Sequence, residues 1–187
     1  YFWKHSLSAA LLAQDLAERG DYAQPDDAYL AGLLHDIGRL ALLACAPHAC
    51  QAHFFAADDA PLCDAEQQAL NISHAEAGAW LMEHWGLAPA LVEAVLHHHA
   101  APDSVTTRHP LTRIVHLTHL LQEWAASGST QAPDLDRSAR FDSTTLLQVL
   151  ASAELRVVQM AADLGLDISA ATQAAPPPAA APVRELA

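Results

Sequence analysis

A His-Asp doublet, His35-Asp36, stands inside the otherwise apolar run Leu33-Leu34-His35-Asp36-Ile37-Gly38-Arg39-Leu40. Burying a carboxylate removes its hydration, and apolar neighbours return nothing for it unless something binds the charge. A metal ion would do so. Further histidines stand at wide spacings on either side of the doublet: His5, His74, the triplet His97-His98-His99, His116 and His119. Imidazoles combined with a carboxylate suit Mn, Fe, Ni or Zn. An ion held that way lowers the pKa of its water from about 16 towards about 7, giving a hydroxide nucleophile. The chemistry these residue types point to is a divalent transition-metal centre.

Each candidate also has a plainer reading. Buried histidines are often hydrogen-bonded core residues, and His116 and His119 taken alone read that way. His35 and Asp36 could hydrogen-bond and fix helix packing. His48, His53, His84 and His109 read as surface or capping residues, and Trp3, Trp80, Trp85 and Trp124 as core or rim aromatics. Cys45, His48, Cys50 and His53 are dense enough to suggest structural zinc. On a helix, however, those positions spread around the axis, whereas zinc needs ligands that converge, so they read as buried thiols and surface imidazoles.

Composition bounds what such a centre could serve. The chain has 187 residues, 52% of them hydrophobic, enough for one core, and a formal net charge of −13 with Lys4 as its only lysine. No basic stripe can neutralise phosphates, so nucleic-acid binding is not expected. No apolar run approaches the roughly 20 residues that span a bilayer, and no charged leader with a cleavage site opens the chain. The three cysteines, Cys45, Cys50 and Cys63, form no C-x-x-C motif and leave an odd thiol, which fits a reducing compartment. The expectation is a soluble cytoplasmic protein with no membrane or nucleic-acid partner.

The elements that must position the histidines read as helices, with no alternating strand pattern. The spacing predicts a helix over Phe2 to Arg19, stopped at Gly20. A second helix is expected over Ala28 to Ala44, capped by Asp26 or Asp27. It is apolar on nearly every side, which makes it central and puts His35 and Asp36 in the interior. A short helix after Pro47 and one over Asp64 to Leu70 follow. Ser73-His74-Ala75-Glu76 is a capping box opening a helix that runs to Trp85 before Gly86. Pro89 starts a helix ending in the histidine triplet and stopped by Pro102. Pro110 starts a long helix bearing His116 and His119, and the last covers about Ser143 to Leu164. Residues 1–165 thus form one helical domain. Residues 166–187 turn to Ala and Pro and read as a disordered linker or tail. Because the first residues are already apolar and aromatic, the chain reads as a piece of a longer protein, with Phe2, Trp3 and Leu7 exposed.

Several motifs occur in one order: Phe2-Trp3-Lys4-His5-Ser6; Ala31-Gly32-Leu33-Leu34-His35-Asp36-Ile37-Gly38-Arg39-Leu40; Glu66 eight residues before His74-Ala75-Glu76-Ala77-Gly78-Ala79; Trp85; and His98-His99 before Pro102. Over roughly residues 2–125 this order resembles the HDOD family of bacterial signalling domains, in the HD superfamily of metal-dependent phosphohydrolases. It looks like the second half of such a domain. The resemblance implies an all-α, HD-superfamily helical bundle. It implies His5 as the first metal-ligating histidine, His35-Asp36 as the doublet, and His74 and His98 as the added ligands of the two-metal branch, with His99 following. Asp36 would then be the catalytic residue, bridging two ions or orienting the water. The distant aspartate of the pattern is expected within Ile114–His119, where His119 stands instead.

Other parts of the phosphodiesterase signature differ. Arg39 replaces the usual lysine, no Glu follows the histidine pair directly, and no Gly-Tyr-Pro loop is present. HDOD domains are generally regarded as non-catalytic outputs. The resemblance therefore implies a regulatory domain that relays signals to signalling proteins or to a domain fused beyond residue 187. A metal-dependent phosphohydrolase and a plain interaction scaffold are the alternatives.

Overall fold

The computed structural model describes residues 2–50, 59–128 and 141–163. Among the described residues the regular elements are all helices, as the periodicity predicts. They are α1 (Phe2–Arg19), α2 (Pro25–Leu34), α3 (Ile37–Cys45), α4 (Pro47–Cys50), α5 (Asp59–Leu70), α6 (His74–His84), α7 (Pro89–Leu96), α8 (Pro102–Val105), α9 (Pro110–Ser127) and α10 (Ser143–Asp163). Residues 166–187, expected as a tail, and His53 lie outside the described residues.

The axis of the fold is α1. Its Ala9, Ala10, Leu12, Ala13, Leu16 and Ala17 are fully buried, because small and large apolar residues alternate round most of its circumference. On one side Ala13 and Ala17 meet Ala28 and Ala31 of α2, Met82 of α6, Val95 of α7 and Val115 of α9. On the other, Leu11, Leu12 and Leu16 meet Leu121 of α9 and Leu146, Val149, Ala153 and Val157 of α10. Burying an aliphatic side chain contributes about 1.5–3 kcal/mol, so these two clusters dominate the stabilisation.

The continuous helix expected over Ala28 to Ala44 is broken. α2 ends at Leu34, Asp36 has φ −99° and ψ 9°, and α3 begins at Ile37. No proline causes the break; tertiary packing does. α2 lies so close to α1 that a Cβ on Gly32 would stand 2.6 Å from the Ala9 carbonyl oxygen. α3 lies equally close to α6, where a Cβ on Gly38 would overlap the His74 carbonyl and stand 2.6 Å from the Gly78 nitrogen. Each half thus follows a different neighbour, and the doublet sits at the joint.

Local signals account for most boundaries. Ser73 and Glu76 form the expected capping box, with Ser73 N donating to Glu76 Oε2 at 2.8 Å. α9 starts on Pro110, with the His109 ring accepting from Leu111 N at 3.2 Å, and ends at Gly128, whose φ is 65°. Other boundaries differ. α2 starts at Pro25 with Gln24 as N-cap, because proline is pre-set for the first helical position, and Asp26 and Asp27 lie in the first turn. α5 begins at Asp59 rather than Asp64, and Pro102 opens the one-turn helix α8 as well as ending the previous stretch.

Two expectations about surfaces also change. Trp3 is exposed as expected, but Phe2 is buried and Leu7 half-buried, and Trp80 and Trp85 are exposed rather than in the core. Residues Pro25–Cys45, counted through the break, are by length and composition apolar enough to cross a membrane, contrary to the expected absence of such a run. Their polar doublet is buried within the helical cluster, as in a core helix.

Candidate metal centre

Five segments bring the histidines together. His5 comes from the first turns of α1, His35 and Asp36 from the α2–α3 joint, and His74 from the start of α6. His98 and His99 follow the end of α7, and His119 lies in the middle of α9. Gln122 of α9 donates to the His5 carbonyl at 3.1 Å and ties the first of these segments to the last. Asp36, His74 and His98 are fully buried, and His35 and His119 nearly so.

Asp36 is the hub. Its Oδ1 lies 3.5 Å from His74 Nε2 and 3.6 Å from both His35 Nε2 and His98 Nε2. Ligands about 2.0–2.1 Å from a tetrahedral zinc ion stand about 3.3 Å apart, so these separations are close to those of a ligand shell. The candidate ligand atoms of Asp36, His74, His98 and His99 all lie within 4.8 Å of one another, and so do those of His5, His35 and Asp36. His119 belongs to neither tight group but packs its ring 4.2 Å from that of His99.

Backbone carbonyls set the tautomers. The Gly32 carbonyl is 2.7 Å from His35 Nδ1, and the Val95 carbonyl is 2.6 Å from His98 Nδ1. A carbonyl only accepts, so both Nδ1 atoms carry hydrogen and both Nε2 atoms present a lone pair to the cluster. His74 Nδ1 donates to Glu66 Oε2 at 2.8 Å, and the same oxygen accepts from His74 N at 2.7 Å. This is the carboxylate–histidine arrangement that orients metal ligands. His116 Nδ1 donates to the His98 carbonyl at 2.9 Å, so His116 holds the histidine segment, as the packing reading has it.

The two sides of Asp36 differ. Oδ2 faces Arg39 Nη1 at 3.1 Å and His5 Nε2 at 3.5 Å, and His5 Nε2 is itself 3.2 Å from His35 Nε2. Hydrogen bonds within the protein serve that side. On the other side, Asp36 Oδ1 and His98 Nε2 are buried with no hydrogen-bond partner. Both are acceptors, so neither can satisfy the other. A cation bound between them removes a penalty of about 1–3 kcal/mol per orphaned group. The residues present therefore fit a divalent transition ion, held by Asp36, His74, His98 and His99, with His5 and His35 behind.

Electrostatics agree with that division. Burial, reinforced by neighbouring rings, lowers His5 to about 4 and His98 to about 3, and depresses His35 and His99 as well. These imidazoles are neutral near pH 7, the form that binds metal. Burial also opposes a charge on Asp36, but the His74 ring beside it offsets this, and its carboxyl stays well below the usual range. His74 is the exception. Burial opposes its charge, yet Cys63, Glu66 and Asp36 outweigh that and push it up to about 10. Coordination through His74 Nε2 releases that proton.

Sequence reasoning missed several of these contacts. Glu66 entered only as part of a motif order, and nothing local marks an acceptor eight residues from its donor. Cys63 Sγ stands 3.8 Å from His74 Nδ1 across the same turn. Arg39 is buried against Asp36. Glu123 Oε1 is 3.2 Å from His119 Nε2, an i,i+4 helical pair that the sequence could have disclosed. Cys45 and His48 are exposed while Cys50 is buried, so no zinc cluster forms from them among the described residues.

The HDOD domain model matches residues 1–101 of this chain. None of the curated proteins compared matches it. A protein from Marinobacter aquaeolei VT8, described as a signal transduction protein, superposes with a TM-score of 0.69 at 22% identity, covering 88% of this chain and 38% of its own. The MmoQ response regulator from Methylococcus capsulatus str. Bath gives 0.61 at 24% identity, covering 80% of this chain and 60% of its own. An HDOD domain protein from Geobacter sulfurreducens gives 0.57 at 22% identity, with 87% and 61% covered. At these identities the likeness is one of fold. The chain spans 38% to 61% of the length of these solved relatives.

Proposed function

Because this chain belongs to the HDOD family, we propose that it is a regulatory module of signal transduction that holds a divalent transition-metal ion at the Asp36 cluster and turns over no substrate. It relays its state to signalling proteins or to other domains of the same polypeptide. The response regulator and the signal transduction protein among the solved relatives support that direction.

One observation carries the non-catalytic reading. Asp36 Oδ2 is engaged by Arg39 at 3.1 Å in the interior. Hydrolysis would need that oxygen to bridge a second ion or orient water, and would need the Arg39 cation to face a phosphate. Both groups are committed to each other. A bound ion would supply fixed positive charge, with Asp36 Oδ1, His74, His98 and His99 as its ligands. The protein's own residues do the orienting: Glu66 holds His74, the Val95 carbonyl holds His98, and Arg39 fixes the rotation of Asp36. Because the ligands come from the α2–α3 joint, α6 and the segment after α7, occupancy couples these elements to one another.

The test is a phosphoester panel run on the metal-loaded protein, including cyclic dinucleotides, nucleotides and aryl phosphates. The expected result is retained metal and no turnover above an Asp36→Asn control. Turnover that disappears with Asp36→Asn would overturn this reading in favour of the phosphohydrolase.

A further inference from the structure

The cluster holds a third orphan. His119 is 3% exposed, and its Nδ1 is buried with no hydrogen-bond partner, while its ring packs 4.2 Å from that of His99 and 5.5 Å from that of His98. The opposite nitrogen, Nε2, meets Glu123 Oε1 at 3.2 Å, one helical turn further along α9. A carboxylate only accepts, so Nε2 carries the hydrogen, and in the neutral ring Nδ1 presents a lone pair on the buried side. Asp36 Oδ1, His98 Nε2 and His119 Nδ1 are then three buried acceptors in one region, and acceptors cannot satisfy one another.

We propose that Glu123 is a positioning residue for this centre: acting through His119, it restores the carboxylate charge that position 119 lacks and biases the centre towards Zn2+, Ni2+ or Co2+ over Mn2+ and Mg2+. The inference rests on the metal-binding reading and deepens it. Glu123, reaching the cluster through the His119 ring, brings a carboxylate to this side of it. The carboxylate sits outward, on a side chain one-third exposed, and an imidazole ring packed against His99 lies between it and the cluster. Hard ions favour oxygen ligands, whereas imidazole favours the later transition metals. A carboxylate on the far nitrogen also fixes the ring and raises its basicity. A bound ion would give the buried Nδ1 the partner that packing alone does not supply.

The experiment uses the full chain, stripped with chelator and titrated separately with Zn2+ and Mn2+ against a chromophoric chelator. Visible spectra of the Co2+ form are recorded alongside, and circular dichroism verifies folding. Glu123→Ala is expected to weaken Zn2+ binding about tenfold or more and to change the Co2+ spectrum. Glu123→Gln, which keeps an acceptor oxygen without the charge, is expected to lose less. His119→Asp is expected to shift the Zn2+/Mn2+ preference towards Mn2+ by about tenfold or more. Zn2+ binding that Asp36→Asn abolishes, with Glu123→Gln and Glu123→Ala matching wild type in affinity and spectrum, overturns the Glu123 role and leaves the metal reading standing. No binding of any ion by the wild-type chain overturns the metal reading, and this inference with it.

Discussion

Replacing Gly38 by alanine separates two opposed effects of known sign. Gly38 lies in α3, and by helix propensity alone alanine there would stabilise the protein by up to about 1 kcal/mol. Packing argues the reverse. The added Cβ would overlap the His74 carbonyl oxygen, and would stand 2.6 Å from Gly78 N and 2.8 Å from His74 C, where ordinary contact begins at 3.4 Å. The neighbouring atoms are all α6 backbone, so no side chain can swing away. α3 and α6 must part by about 0.8 Å or more to relieve the Gly78 contact alone. Overpacking of this kind costs about 1–3 kcal/mol and sometimes more. The net expectation is destabilisation by about 2 kcal/mol, or roughly 4–8 °C in Tm for a chain of this size. Separation of α3 from α6 also pulls Asp36 from His74, now 3.5 Å apart, so metal affinity should fall together with stability. Urea denaturation and thermal melts of the chelated protein measure the first effect, and metal competition the second. Gly78→Ala, whose Cβ would sit 3.2 Å from both Gly38 N and Val95 Cγ1, should lose less. A Gly38→Ala protein as stable as wild type, or more so, would refute the close α3–α6 approach on which the site depends.

Asp36→Ala in chelated protein breaks the buried 3.1 Å pair with Arg39 and is expected to destabilise by about 3–5 kcal/mol in urea melts. Adding Arg39→Met should recover most of that loss, and a double variant as unstable as the single one would show that the pair is not what Asp36 stabilises. Glu66→Gln keeps an oxygen near His74 but removes the charge. Chelator competition should show metal affinity lower by about 10–100-fold, with the fold intact by circular dichroism, and unchanged affinity would count against the Glu66–His74 arrangement.

The sequence disclosed the types of residue at the site better than their arrangement. The His35-Asp36 doublet, the Ser73-Glu76 capping box and the proline starts of α7 and α9 were legible because each has a local physical cause. The joint between α2 and α3 was not, because Leu33 to Leu40 has continuous helical periodicity and only contacts with Ala9 and His74 divide it. Arg39 is three residues from Asp36, a spacing at which helical side chains meet, yet the turn at Asp36 decides whether they do. The exposure of Trp80 and Trp85 likewise could not be inferred from residue type, since an aromatic side chain favours burial until the fold leaves its helix face uncovered. His119 looked like a failed match to an expected aspartate. With Glu123 one turn away, it is a histidine with a carboxylate behind it.

Whether the Asp36 cluster is a metal centre is best tested by elemental analysis of protein purified without chelator and without a nickel column, with Asp36→Asn prepared in parallel. The account predicts about one divalent transition ion per wild-type chain and none in the variant. No metal in either protein, or equal metal in both, would contradict it.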